Sequence, residues 1–155
     1  MTAMRLTSPA FENGKPIPLK YGKKFGNISP PLDIHDVPDG TISLVLLMTD
    51  PDIPEAGKRK YGIEEWDHWC VYDIPPSNVH IHEGKNPEGV MGITTEKNNQ
   101  YNGPAPPDRE HRYYFHVYAL RGKVGLNEGA SIEEVKKKMS GQILGHALLM
   151  GTFKP

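Results

Sequence analysis

Ile42-Ser43-Leu44-Val45-Leu46-Leu47-Met48-Thr49-Asp50-Pro51-Asp52-Ile53-Pro54 is the stretch that sets the architecture. Its opening run is aliphatic and β-branched apart from Ser43, and it closes on Asp and Pro, so it reads as a buried strand over 42–49. Pro51 fixes its own φ and keeps Asp50 extended, which places the carboxylates of Asp50 and Asp52 on a stiff corner at the strand end. A corner held by a rigid scaffold is a natural place for function. Alone, the two acids would be read as shaping a turn.

Working outward, Asp67-His68-Trp69-Cys70-Val71-Tyr72-Asp73-Ile74 alternates in part and stops at Pro75-Pro76, as a half-buried strand would. Residues 112–120 are the most aromatic segment and read as a strand with Tyr113, Phe115, Val117 and Ala119 on one face. Ile143–Phe153 fits either a helix or a strand, and Gly145, Gly151 and Thr152 tilt the reading towards a final strand. Residues 5–40 are punctuated by Ser8-Pro9, Asn13-Gly14, Ser29-Pro30-Pro31 and Pro38-Asp39-Gly40, which leaves room only for short strands and extended loops. Ser131-Ile132-Glu133-Glu134 is a capping box that opens a short helix to about Met139. Residues 55–60 are polar and read as a loop, and 77–110 as a long Gly/Pro-rich excursion with scraps of strand near 90–94. The expectation is one mainly-β domain over 1–155, an antiparallel β sandwich with one or two short helices near the C-terminus.

Composition narrows the function. With 18 basic and 19 acidic residues the net charge is −1, so no global field recruits nucleic acid or an anionic membrane. Lys136-Lys137-Lys138 reads as a solvated helix face. The 16 glycines and 15 prolines, a fifth of the chain, suit many turns between short strands. Cys70 is the single cysteine, which rules out an intrachain disulfide, and its apolar neighbours suggest a packed, inert thiol. Residues 1–12 show no apolar signal core and no window approaches a membrane span, so the expected location is cytoplasmic.

Three clusters bear chemistry: the Asp50/Asp52 corner, Trp66-Asp67-His68-Trp69, and the Pro-rich loop Gly103-Pro104-Ala105-Pro106-Pro107 followed by His111-Arg112-Tyr113. Each has a plain structural reading as turn, packed histidine or spacer. His and carboxylate together could chelate a metal, but no tight His spacing supports that and none is expected. Gly-x-Ser-x-Gly, Gly-x-Gly-x-x-Gly and P-loop patterns are absent, so neither a catalytic nucleophile nor a cofactor is expected.

Taken in order, Ser8-Pro9-Ala10-Phe11, Asn27-Ile28-Ser29-Pro30-Pro31-Leu32, Asp50-Pro51-Asp52-Ile53-Pro54, Trp66-Asp67-His68-Trp69, Gly103-Pro104-Ala105-Pro106-Pro107 and His111-Arg112-Tyr113 resemble the phosphatidylethanolamine-binding protein family, and most closely its bacterial and archaeal Raf-kinase-inhibitor-like branch. The resemblance implies a β sandwich with a small surface pocket for anionic groups such as phosphoethanolamine. Carried over by position, the pocket would be lined by Asp50, Asp52, Trp66, His68, Ala105, Pro107, His111 and Tyr113. The implied partner is an anionic small molecule or phospholipid headgroup. Inhibition of a serine protease or kinase through the reserve of loop in 77–100 is the alternative, an Asp/His hydrolase a minor one, and a homodimer stays open.

Residue chemistry adds one expectation: an anion should bind more tightly as His68 and His111 become charged. Two departures from the family pattern stand out. Lysines occupy Gly22-Lys23-Lys24-Phe25-Gly26, where prokaryotic members commonly carry an acidic, Cys-containing stretch, and Ala105 stands where Gly is usual. The short link Asp108-Arg109-Glu110 is expected to bring Arg109 and Glu110 near the pocket mouth.

Overall fold

The computed structural model describes residues 3–155; Met1 and Thr2, the start of the segment read as lacking a signal core, lie outside the described residues. In chain order the strands are β1 (Arg5–Thr7), β2 (Lys15–Pro16), β3 (Leu32–His35), β4 (Ser43–Asp50), β5 (Trp66–Ile74), β6 (His80–Ile81), β7 (Val90–Met91), β8 (His111–Leu120) and β9 (Ile143–Phe153). Helix α1 (Glu55–Tyr61) falls between β4 and β5, α2 (Ile132–Met139) between β8 and β9, and a single 3-10 turn covers Leu19–Tyr21.

A six-stranded sheet in the order β2-β9-β8-β4-β5-β7 carries the fold, and a three-stranded sheet β1-β3-β6 packs against it. All eight residues of β4 are buried, because both faces of its sheet are covered. Leu44, Leu46 and Met48 join a core with Leu6, Leu32, Ile34 and Ile81 of the small sheet. Val45 and Leu47 instead join Cys70 and Tyr72 beneath Ile132, Val135 and Met139 of α2. Burial on two faces erases the alternation that a half-buried strand would show, which is why this stretch reads as one apolar run. Each large side chain removed from water here contributes about 1.5–3 kcal/mol.

The mainly-β expectation matches the structure, with corrections. The large sheet is mixed, because β2 runs parallel to β9 while its other pairings are antiparallel. One of the two helices lies mid-chain, and residues 55–60 form α1 rather than a loop. That helix buries none of its residues, so it leaves no apolar periodicity to read. Its signals are at its ends: Pro54 before it, Glu55 in the first turn, Lys58, Arg59 and Lys60 in the last, and Gly62 in the left-handed region after it. Helix α2 has the capping box expected at Ser131 and Glu134. Cys70 is fully buried, and burial pushes its thiol up to about 12. No described helix is long and apolar enough to cross a membrane.

Candidate functional site

Antiparallel neighbours place the end of one strand beside the start of the next. Thus the C-terminal end of β4 meets the start of β5, with Asp50 opposite Trp66, and the first residues of β8 lie alongside. At this corner opens a cavity of about 330 Å³. Asp50, Trp66, His68, Ala105, Pro107, His111 and Tyr113 all line it, so strand geometry joins residues up to 63 positions apart. Asp52 is not among the lining residues.

The two acids of the corner have opposite surroundings. Asp52 is held by Arg112, whose Nε and Nη2 donate to its two carboxylate oxygens at 2.8 and 2.7 Å and whose backbone N–H adds a third bond at 2.8 Å. These bonds lower its pKa to about 2. Asp50 is buried, and that desolvation pushes its pKa up against the hydrogen bonds that favour its charge. Its Oδ1 accepts the Asp52 N–H at 2.7 Å, and its Oδ2 lies 2.7 Å from His111 Nδ1. The other His111 nitrogen is 2.7 Å from Asp108 Oδ1. A neutral imidazole has one N–H, so both contacts are made only by a doubly protonated ring or with one carboxyl proton.

His68 differs in kind. Its Nδ1 lies 2.7 Å from the Asn102 carbonyl, which can only accept, so Nδ1 carries the hydrogen. The Asn102 N–H returns a bond to the His68 carbonyl at 2.9 Å. Burial lowers the His68 pKa to about 4, and the ring is neutral at ordinary pH with Nε2 as a bare acceptor. No buried side-chain nitrogen or oxygen among the described residues lacks a partner, so this unpaired Nε2 opens to the cavity. The expectation that His68 charges to grip an anion is therefore corrected: it offers a lone pair. Tyr113, edge-on to His68 at 5.3 Å, sits beside Asp50, and burial and that charge push its phenol well up, so it keeps its proton.

The Pro-rich loop offers few donors. Three of its five residues are proline, without N–H, and the Gly103 N–H bonds Asn27 Oδ1 at 2.6 Å. Ala105 is the one other loop residue with a backbone N–H, and that N–H faces the Tyr113 hydroxyl. It is not among the positive-φ residues, so Ala is accommodated where glycine was expected. Gly103 is a different case: a Cβ there would meet the Tyr21 carbonyl oxygen at 2.2 Å and the Lys23 nitrogen at 2.7 Å. Arg109 reaches the Asp52 carbonyl at 3.4 Å, and neither it nor Glu110 lines the cavity.

Several lining residues escaped the sequence reading. α1 contributes Gly57 and Tyr61, the latter edge-on to Trp66 at 5.3 Å. Ile53 and Pro54 continue that apolar wall. Lys23 and Glu96 also line the cavity and form an ion pair. Lys23 comes in through the loop whose lysines depart from the family pattern, and its N–H donates to the Pro104 carbonyl at 3.0 Å. Among the described residues, no group of three or more His, Cys, Asp or Glu could hold a metal ion.

Comparison with known proteins identifies the family. A family model described as phosphatidylethanolamine-binding protein matches residues 7–154. The chain belongs to the phosphatidylethanolamine-binding protein family. Among curated relatives, a UPF0098 protein of Chlamydia muridarum is 44% identical over 97% of this chain and 99% of its own. One from Methanothermobacter thermautotrophicus is 38% identical with the same coverage. The crystal structure of the phosphatidylethanolamine-binding protein homologue CT736 of Chlamydia trachomatis superposes with a TM-score of 0.94 at 41% identity, covering 100% of this chain and 99% of that one. That of Escherichia coli YbcL, described as a member of the mammalian family, gives 0.86 at 25% identity, covering 99% of each chain.

Proposed function

We propose that the chain is a ligand-binding module of its family whose cavity takes a compact phosphate-type group, from a lipid headgroup or a phosphorylated side chain, as the protonated monoanion. The observation that carries this reading is the buried His68 ring, its Nδ1 held by Asn102, facing the same cavity as Asp50 and Tyr113. Two acceptors, His68 Nε2 and the Asp50 carboxylate, would repel a fully ionised phosphate. A monoanion carries one P–OH, which donates to either of them, while another of its oxygens accepts from the Tyr113 hydroxyl, which in the empty cavity faces Asp50. Ile53, Pro54, Tyr61, Trp66 and Pro107 supply an apolar rim for the carbon part of an ester. The volume suits a small group, since ligand pockets start at about 300 Å³.

Binding is favoured over turnover by the lining, which holds no Ser, Thr or Cys. The inhibitor reading needs a free loop, whereas segment 77–100 is anchored at several points. It is tied down by β6 and β7, by the Trp69 indole donating to Asn86 at 3.0 Å, and by the Gly84 N–H donating to Ser29 at 2.8 Å.

The test is a thermal-shift titration of wild type and Tyr113→Phe with O-phosphoethanolamine, phosphoserine, inorganic phosphate and sulfate at pH 5.5 and 8. A ligand at 100 times its Kd adds about 2.7 kcal/mol to stability. A phosphate monoester loses its second proton near pH 6 and inorganic phosphate about a unit higher, so the phosphates should stabilise wild type at pH 5.5 and much less at pH 8. Sulfate, with no proton to give, should do little at either, and Tyr113→Phe should respond less. A larger response to O-phosphoethanolamine or to phosphoserine separates the two ligand sources. No response of the wild type to any phosphate would end the proposal.

A further inference from the structure

The lining of the cavity contains one permanent cation, and that cation is already engaged. Lys23 is the one Lys or Arg among the described lining residues, and its ammonium is ion-paired with Glu96 on the same rim. The backbone at Lys23 cannot move away. Its N–H is bonded to Pro104, and Gly103 packs so closely that even a Cβ would touch the Lys23 nitrogen. Glu96 stands on an equally firm turn, in which Thr94 accepts the Lys97 N–H at 3.0 Å and bonds Asn98 through backbone and side chain. Only the two side-chain ends, 43% and 21% exposed, are free to exchange partners. The Lys23 charge is felt at His68, where it helps to hold the ring neutral, so the ammonium acts on the cavity floor.

We infer that Lys23 and Glu96 form a charge-exchange latch: Glu96 occupies Lys23 in the empty cavity, and an anionic ligand takes Lys23 from it. This rests on the reading of the cavity as an anion site and names the residues that set its affinity. A partly exposed ion pair between long side chains is weak, so the exchange is easily made. The ligand gains a charge-assisted bond from the one Lys or Arg of the described lining. Glu96 thus acts as an internal competitor, and the strength of binding is set by how well a ligand outbids a carboxylate for one ammonium.

The experiment is a calorimetric titration with methyl phosphate at pH 5.5 of wild type, Glu96→Gln, Lys23→Met and the double variant. Glu96→Gln should bind about fivefold tighter and Lys23→Met about tenfold weaker. The gain from Glu96→Gln should vanish in the Lys23→Met background, because a competitor matters only while its prize is present. Equal gains in both backgrounds would mean simple repulsion by Glu96 and would overturn the latch. Unchanged affinity in Lys23→Met would overturn it too, and would leave the anion site standing. Absence of heat in all four proteins would remove the anion site and the latch together. Binding by Glu96→Gln alone would support the latch as a block on the empty site. Unliganded melting points of the four proteins, which should agree closely, show that each variant folds.

Discussion

The floor and the rim of the cavity are built differently. The floor comes from strand ends: Asp50, His68, His111 and Tyr113 are buried and, apart from the atoms that open to the cavity, are hydrogen-bonded in a fixed pattern. The rim comes from loops and α1: Lys23, Tyr61 and Glu96 are partly exposed, and the ion pair among them joins two side chains that are 43% and 21% exposed. The difference teaches a division of labour. The floor selects by proton and lone pair, which demands fixed geometry, whereas the rim selects by charge, which tolerates motion.

The sharpest way to break this comparison is to show that the floor is dispensable to the fold. His111→Ala strips a buried carboxylate of its imidazole, and equilibrium urea unfolding at pH 7 should show a loss of about 3 kcal/mol. A loss under about 0.5 kcal/mol, the size expected at an ordinary surface site, would erase the distinction. Next comes Gly103→Ala, which forces a methyl group against backbone atoms of Tyr21 and Lys23. It should cost about 2 kcal/mol and weaken any ligand response by displacing the loop.

The Asp50/Asp52 corner sharpens the comparison through pH. Asp52, with a lowered pKa of about 2, contributes stability that is present above the unfolded value near 4 and is lost as pH falls through 2. Asp50, with a raised pKa, has the opposite sign: its contribution is present at low pH and is lost as pH rises through its folded value. Asp52→Asn should therefore cost about 1 kcal/mol at pH 7, modest because Arg112 is half exposed, and little at pH 2. Unfolding curves at pH 2, 4 and 7 measure it. The smallest effect belongs to the rim: Tyr61→Ala should stay within about 0.5 kcal/mol of wild type in the same assay.

Much of the fold was legible in the sequence because burial writes itself into side chains. The apolar run of β4 announced a strand covered on both sides, and Tyr113, Phe115, Val117 and Ala119 are all buried on the face expected. The capping box marked α2. Helix α1 was illegible because it buries none of its residues, and the parallel β2–β9 pair because two residues of β2 carry no register signal. In the site, the strand-end residues were legible from ordered motifs. The separate fate of Asp52 was not, since it depends on Arg112, 60 positions away. Lys23 and Glu96 are 73 positions apart, and neither carries a local pattern that pairs it with the other. Gly103 opens a loop in the sequence, and only the structure shows that the Tyr21–Lys23 backbone packs where its side chain would be.

The proposed recognition turns on one nitrogen atom, His68 Nε2, which nitrogen-detected NMR of the ring observes. From pH 5 to 8 the account predicts a proton on Nδ1, none on Nε2, and a shift of the Nε2 resonance towards hydrogen-bonded values when methyl phosphate is added at pH 5.5. A proton on Nε2 in the free protein at pH 6, or an Nε2 signal indifferent to saturating methyl phosphate, would contradict it.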